Sequence, residues 1–139
     1  MLERGVIVDA SAVVALLSDY DGAGSWVAAC IRGRRLTAPH LMPFEAANIL
    51  RRLGLSGVLD GTTVSLAHGA LIELMVDLVP HHLLAARAWE LRHNLTTYDA
   101  SYVALAEALE LPLVTLDRRI AGAPGIRCEV HAPTPGELP

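Results

Sequence analysis

The chain predicts a single α/β domain: a central, mostly parallel β-sheet flanked by helices on both faces. Three observations predict it. Two short apolar runs, Gly5-Val6-Ile7-Val8 and Leu113-Val114-Thr115-Leu116, each end in an aspartate, Asp9 and Asp117. Unbroken runs of this length mark strands buried on both faces. Strand-like and helix-like segments alternate along the whole chain, as a parallel sheet with crossover helices requires. Finally, 53% of the 139 residues are hydrophobic, which is ample for one core of this size.

The elements follow in order. The strand ending at Val8 runs through Asp9 into a helix over Ala10 to Leu17, so Asp9 sits in a strand-to-helix turn. A second helix covers roughly 22–32, and Gly33 stops it. Residues 34–39 form a weaker strand closed by Pro39. Pro43 suits the first turn of the next helix, which ends at Gly54. Glu45 lies in that first turn and shares a face with Asn48 and Arg52. Residues 60–78 read as one long helix, with Val64, Ala67, Leu71, Leu74, Met75 and Leu78 as its inner stripe. A short strand at 79–81 and a helix over 83–94 follow. Thr96 and Asp99 have capping-box spacing ahead of a helix from Tyr98 to Glu110. That helix is apolar on most sides and should be buried, and Pro112 blocks its continuation. A last strand is expected at 126–130. Residues 1–131 thus form the domain, and 132–139 a loose tail rich in Pro and Gly.

Composition narrows the function. There is no apolar run of about 18 residues, so no membrane span is expected. The N-terminus lacks the signature of a secretory signal. Cys30 and Cys128 lack metal-site spacing and read as reduced thiols of a cytoplasmic protein. The six His are scattered, and Trp26 and Trp89 lie on apolar helical faces expected in the core. The net charge is −4, and all eleven basic residues are Arg. A nucleic-acid binder usually carries a basic footprint. Four carboxylates gathered on a cation would leave eleven acids against eleven Arg, and the bound metal would reverse the local sign.

Four carboxylates stand at element ends. Asp9 and Asp117 end buried strands, Asp99 opens the helix leading into the second of them, and Glu45 opens the helix after the middle strand. In a parallel sheet these ends share the carboxyl edge, where open α/β sheets bind ligands. Taken singly, each acid also reads as a helix cap or a first-turn acid favoured by the helix dipole. Four at once favour a shared site. Packed carboxylates repel unless a cation lies among them. Hard oxygen donors suit Mg²⁺, with Mn²⁺ as a substitute, and such a site fits phosphoryl chemistry. Ser11, Thr97 and Thr115 each lie two residues from a site Asp and are candidates to order metal waters or phosphate oxygens. Arg118 and Arg119, beside Asp117, are candidates to hold an RNA phosphate.

Val8-Asp9-Ala10-Ser11-Ala12, Glu45-Ala46-Ala47-Asn48-Ile49-Leu50, the segment from Thr97 to Ala106, and Leu113-Val114-Thr115-Leu116-Asp117 together resemble the PIN-domain nucleases. More closely, the chain is similar to the VapC-type toxins of prokaryotic toxin–antitoxin pairs, over Val6 to about Val130. The resemblance implies that Asp9, Glu45, Asp99 and Asp117 are the metal-binding acids, with Thr115 a polar neighbour of the last. It implies a Mg²⁺-dependent endoribonuclease that hydrolyses RNA with a metal-activated water and leaves a 5′-phosphate. It also implies a homodimer and a cognate VapB-type antitoxin that wraps the toxin with an amphipathic segment. Rival readings have weaker support. A phosphoacceptor receiver domain relies on a Lys, which the chain lacks. A phosphatase with a nucleophilic Asp wants an acid where Ser11 stands. A catalytically silent PIN scaffold would not need the intact acid set. A DNA-directed nuclease of the same fold stays open, since nothing in the sequence reads a 2′-hydroxyl.

Overall fold

The computed structural model describes residues 4–138. Five strands form one sheet: β1 (Gly5–Val8), β2 (Arg35–Pro39), β3 (Val76–Val79), β4 (Leu113–Val114) and β5 (Val130–His131). Their order is β3-β2-β1-β4-β5, and every neighbouring pair is parallel. Val6, Ile7 and Val8 of the central strand are fully buried, which is why that run shows no polar alternation.

The order of strands fixes where a ligand can bind. From β1 the chain builds outward through β2 and β3 on one side, then returns to place β4 and β5 on the other. Right-handed crossovers therefore put the helices of the two halves on opposite faces. α1 (Ala10–Ser18) packs on α2 (Gly24–Ile31), α3 (Met42–Leu55) and α4 (Gly61–Glu73). α5 (Ala85–Glu90) packs on α6 (Thr97–Leu109), which lies against β1, β2 and β4, and α7 (Arg118–Ala121) follows β4. The switch point lies between β1 and β4, and the crevice beyond their carboxyl ends is the binding position of open α/β sheets. Asp9 and Asp117 follow those two strands.

Local chemistry explains the helix starts. The side chains of Asp9, Asp60 and Thr96 accept from the backbone N–H of Ala12, Thr63 and Asp99 and so cap α1, α4 and α6. α6 ends with Glu110 in the left-handed region, two residues before Pro112.

Several expectations are corrected. The helix expected over 60–78 stops at Glu73, and Val76–Val79 is a strand instead. The open edge of β2 captures it, with Leu36 opposite Val76 and Pro39 opposite Val79. Sheet pairing overrides helical periodicity here, so Met75 is 90% exposed and Leu78 is also exposed rather than part of an inner stripe. The strand expected at 79–81 is therefore displaced, and His81–Leu83 is a 3-10 turn. The helix expected over 83–94 shrinks to Ala85–Glu90. The last strand falls at Val130–His131, where it pairs with Leu113 and Val114, and not at 126–130. Trp89 is 64% exposed, with the Arg92 guanidinium 4.6 Å over its ring, so it is no core residue. The tail, expected to be loose, is tied down: Trp26 Nε1 donates to Glu137 Oε2 at 3.0 Å, and Glu137 Oε1 accepts from the Thr134 amide at 3.0 Å. Among the described residues no helix is long and apolar enough to cross a membrane.

One glycine is required by close packing. A Cβ on Gly24 would lie 2.6 Å from Asp19 Oδ1 and 2.8 Å from the Ala15 carbonyl oxygen, where α2 starts against the end of α1. Gly24→Ala is expected to cost about 1–3 kcal/mol, the range for forcing atoms into a packed interior. Urea unfolding would register it as a lower midpoint.

Candidate active site

Asp9 is the fixed point of the site. It is 6% exposed, its backbone N–H donates to the Val114 carbonyl at 3.2 Å, and its carboxylate is held on three sides. Oδ1 accepts from the Ala12 amide at 3.0 Å and from Ser11 Oγ at 2.7 Å, and Oδ2 accepts from Thr115 Oγ1. Ser11 Oγ in turn accepts from the Leu116 amide at 3.1 Å, and Thr115 Oγ1 accepts from the Asp117 amide at 3.0 Å. The two hydroxyls thus stitch the turn after β1 to the turn after β4. All three donors to Asp9 are neutral, and burial outweighs them. Its carboxyl is pushed above the ordinary carboxylate range by burial, with the Asp99 charge adding to the push.

Glu45, in the first turn of α3, is half-buried and accepts from Tyr102 Oη at 2.6 Å. Burial raises its carboxyl, and the charges of Asp99 and Asp9 raise it further. Asp99, in the first turn of α6, is raised by burial and then by the charge of Asp117. Each of these three acids is thus destabilised in its charged form by burial and by at least one of the other acids. That is the electrostatic mark of an acidic cluster short of positive charge.

Asp117 differs. It caps α7, and Arg119 folds back on it: Nη2 donates to Oδ2 at 2.8 Å and Nε to Oδ1 at 3.0 Å. This bidentate pair holds the Asp117 carboxyl below its ordinary range. Arg119, a candidate phosphate holder by sequence, is occupied by a neighbour's carboxylate. Arg118 is exposed. Replacing Arg119 with Ala should move the Asp117 carboxyl up toward its ordinary range. It should also push Asp99 further up, because Asp99 loses the one cation that lowers it. A carbon-13 NMR titration of the side-chain carboxyls reads both shifts.

The sequence candidates therefore sort as follows. Asp9, Glu45, Asp99 and Asp117 share the carboxyl edge and feel one another's charge. Ser11 and Thr115 serve Asp9 directly. Thr97 makes no hydrogen bond to a site carboxylate among the described residues, and the neighbouring Thr96 is the cap. Tyr102 was not singled out by sequence. It is fully buried, three residues from Asp99 on one helix face, and its hydroxyl is fixed by Glu45. Burial first and Glu45 second push its phenol up, so it stays a hydrogen-bond donor.

The donor set can be tested against a metal. Among the described residues, no three acidic, histidine or cysteine side chains converge closely enough to grip one ion together. That excludes a closed site of the structural-zinc kind. Mg²⁺ has different needs: it keeps several of its waters and takes only one or two carboxylates directly. A spread set of hard oxygen donors, with a buried carboxylate that no cation among the described residues touches, fits that requirement.

Residues 6–126 match the PIN domain family, a span that contains all four acids. The chain is 41% identical over 125 residues to ribonuclease VapC1 of Mycobacterium tuberculosis, covering 89% of this chain and 94% of the relative. It is likewise 41% identical over 125 residues to ribonuclease VapC9 of the same organism, covering 90% and 95%. Among solved structures, PAE2754 of Pyrobaculum aerophilum superposes with a TM-score of 0.64 at 28% identity, over 91% of this chain and 83% of that one. The match in fold and the match in sequence each cover about nine-tenths of the chain, and the chain belongs to the PIN-domain family and, within it, to the VapC ribonucleases.

Proposed function

We propose that this chain is a Mg²⁺-dependent endoribonuclease, with Mn²⁺ as a substitute metal, and the toxin of a toxin–antitoxin pair. The observation that carries the reading is the buried carboxylate of Asp9 at the switch point of the sheet, paired with no cation among the described residues, with Asp99 and Glu45 within electrostatic reach. Ribonuclease VapC1, similar over nearly its whole length, bears that activity in its name.

Asp9 and Asp99 are the direct metal ligands in this reading, and Asp117 and Glu45 complete the site through water. When bound, the metal supplies a water of lowered pKa and offsets charge on the phosphate and on the leaving 3′ oxygen. The chain's own residues do the positioning. Ser11 and Thr115 fix both oxygens of Asp9, so its direction is set before substrate arrives. Tyr102 sets the rotamer of Glu45 in the same way. Arg119 keeps Asp117 ionised. Hydrolysis then yields a 5′-phosphate and a 3′-hydroxyl.

The reading includes a homodimer and a VapB-type antitoxin. Exposed Phe44, Ile72 and Leu78, lining the groove between α3, α4 and β3, supply apolar surface for such partners.

The test is cleavage of total cellular RNA by the purified, partner-free protein, with new 5′ ends mapped by sequencing. Mg²⁺ or Mn²⁺ should produce discrete ends, and chelator should remove them. Asp99→Asn should remove them too while the protein stays folded by circular dichroism. Retained cleavage in Asp99→Asn would sink the assignment. Cleavage of single-stranded DNA but not RNA would transfer it to the DNA-directed reading.

A further inference from the structure

We propose that a small apolar cavity beside the acidic edge is a nucleobase subsite, taking the base of a nucleotide next to the scissile phosphate against the face of Tyr98. The proposal rests on the ribonuclease reading above and adds to it where a base beside the scissile phosphate is held.

The cavity has a volume of about 220 Å³. Pro39 and Val79, the last residues of β2 and β3, form one wall with Leu41. Leu84 and Ala88 form the other, and Tyr98 closes it. It therefore opens at the carboxyl edge of the sheet, the edge that carries the four acids. Two of its walls are continuous with that site. Tyr98 directly precedes Asp99, and Leu41 is the residue from which α3, with Glu45, departs.

Size and chemistry select the occupant. Pockets for drug-sized ligands run from roughly 300 to 1,000 Å³, so this one takes a single planar ring system. Its walls are almost wholly apolar, and an apolar cavity is a poor place for water. A nucleic acid brings both halves of what the region offers: a phosphate for the acid-and-metal edge, and an unstacked base with a π-face and little charge. Single-stranded RNA is read in this way, by bases splayed onto aromatic side chains. Tyr98 is 62% exposed at the start of a helix that is otherwise mostly buried, so its ring is available as a wall. Its carbonyl accepts from Ser101 Oγ at 2.6 Å, which pins the first turn that carries it. His40 and His81, both exposed, stand at the mouth, where they meet the edge of an inserted base. Thr97 and Ser101 also line the cavity, but almost none of its surface is polar, so the interior offers that edge little hydrogen bonding. Selectivity for the presence of a base should therefore exceed selectivity between bases.

The test uses short RNA oligonucleotides carrying the mapped cleavage sequence, with each base flanking the scissile bond removed in turn. In the wild-type protein, one abasic position should lower kcat/KM by about 5- to 150-fold, the range that base–aromatic stacking spans. Two variants disturb the cavity differently. Tyr98→Ala removes an exposed wall with little risk to folding, and Ala88→Leu fills the cavity. In each, the intact oligonucleotide should lose kcat/KM to a comparable extent, and removing the same base should cost little more, so that the two losses do not add. An independent readout needs no cleavage. A 2-aminopurine at the sensitive position, bound in chelator, should be quenched by wild-type protein and remain bright with Tyr98→Ala. Cleavage with no base-sensitive position, or variants that keep the full penalty for base removal, would overturn the subsite and leave the ribonuclease reading standing. An absence of metal-dependent cleavage by the wild-type protein would overturn both.

Discussion

Asp9→Asn should give a protein that folds, loses cleavage by more than about 100-fold, and in its metal-free form weakens less than wild type as pH rises toward neutrality. The loss of activity follows from the role proposed for the residue. Removing groups that merely orient metal ligands costs about 10- to 100-fold, and a direct ligand is worth more. Retention of the fold follows from the hydrogen bonds. An amide oxygen in the place of Oδ1 still accepts from the Ala12 amide and Ser11 Oγ, and the amide nitrogen faces the Thr115 hydroxyl, which has a second lone pair to accept with. The pH effect follows from linkage. Burial raises the folded-state carboxyl of Asp9 above its unfolded value. Its favourable contribution is then fully present below the unfolded value and is lost as pH rises through the raised folded one. Denaturant midpoints of metal-free wild type should fall across that window, and the fall should be smaller in Asp9→Asn. A steeper fall in the variant would contradict the burial of an uncompensated charge.

Divalent metal should stabilise the protein strongly at pH 7 and much less at pH 5. At a metal concentration one hundred times Kd, binding to the native state alone adds about 2.7 kcal/mol, which for a domain of this size raises Tm by roughly 10 °C. The sign with pH comes from competition, because ligands must be deprotonated to bind. Asp9, Glu45 and Asp99 are all raised, each by burial first, so protons compete above the ordinary carboxylate range. Thermal scans with and without Mg²⁺ at the two pH values give the increment directly. An equal increment at both would place the metal elsewhere.

Much of the fold was legible in the sequence because the strongest signals were local or strictly periodic. The run before Asp9 has no polar alternation because β1 lies in the middle of a parallel sheet. Thr96 and Asp99, three positions apart, show the start of α6. The acids stand at element ends, and parallel strands bring such ends to one edge. What was not legible depended on tertiary partners. Val76 to Val79 carry helical spacing as readily as strand spacing, and the open edge of β2 decides between them. Trp26 and Glu137 meet across most of the chain, so no local pattern announces that the tail is held. Within the site, Tyr102 needed α3 and α6 to be brought together before its partner Glu45 could be seen. The capture of Asp117 by Arg119 is a matter of side-chain rotamer, and two adjacent Arg after an Asp allow several.

The central claim is that Asp9 and Asp99 hold a divalent ion at the switch point of the sheet. The most direct measurement is an anomalous difference map from crystals of the partner-free protein soaked in Mn²⁺. The account predicts a peak within coordination distance of both Asp9 and Asp99, absent in crystals of Asp99→Asn soaked in the same way. A fully occupied peak that touches neither residue, or one that persists unchanged in the variant, would contradict it.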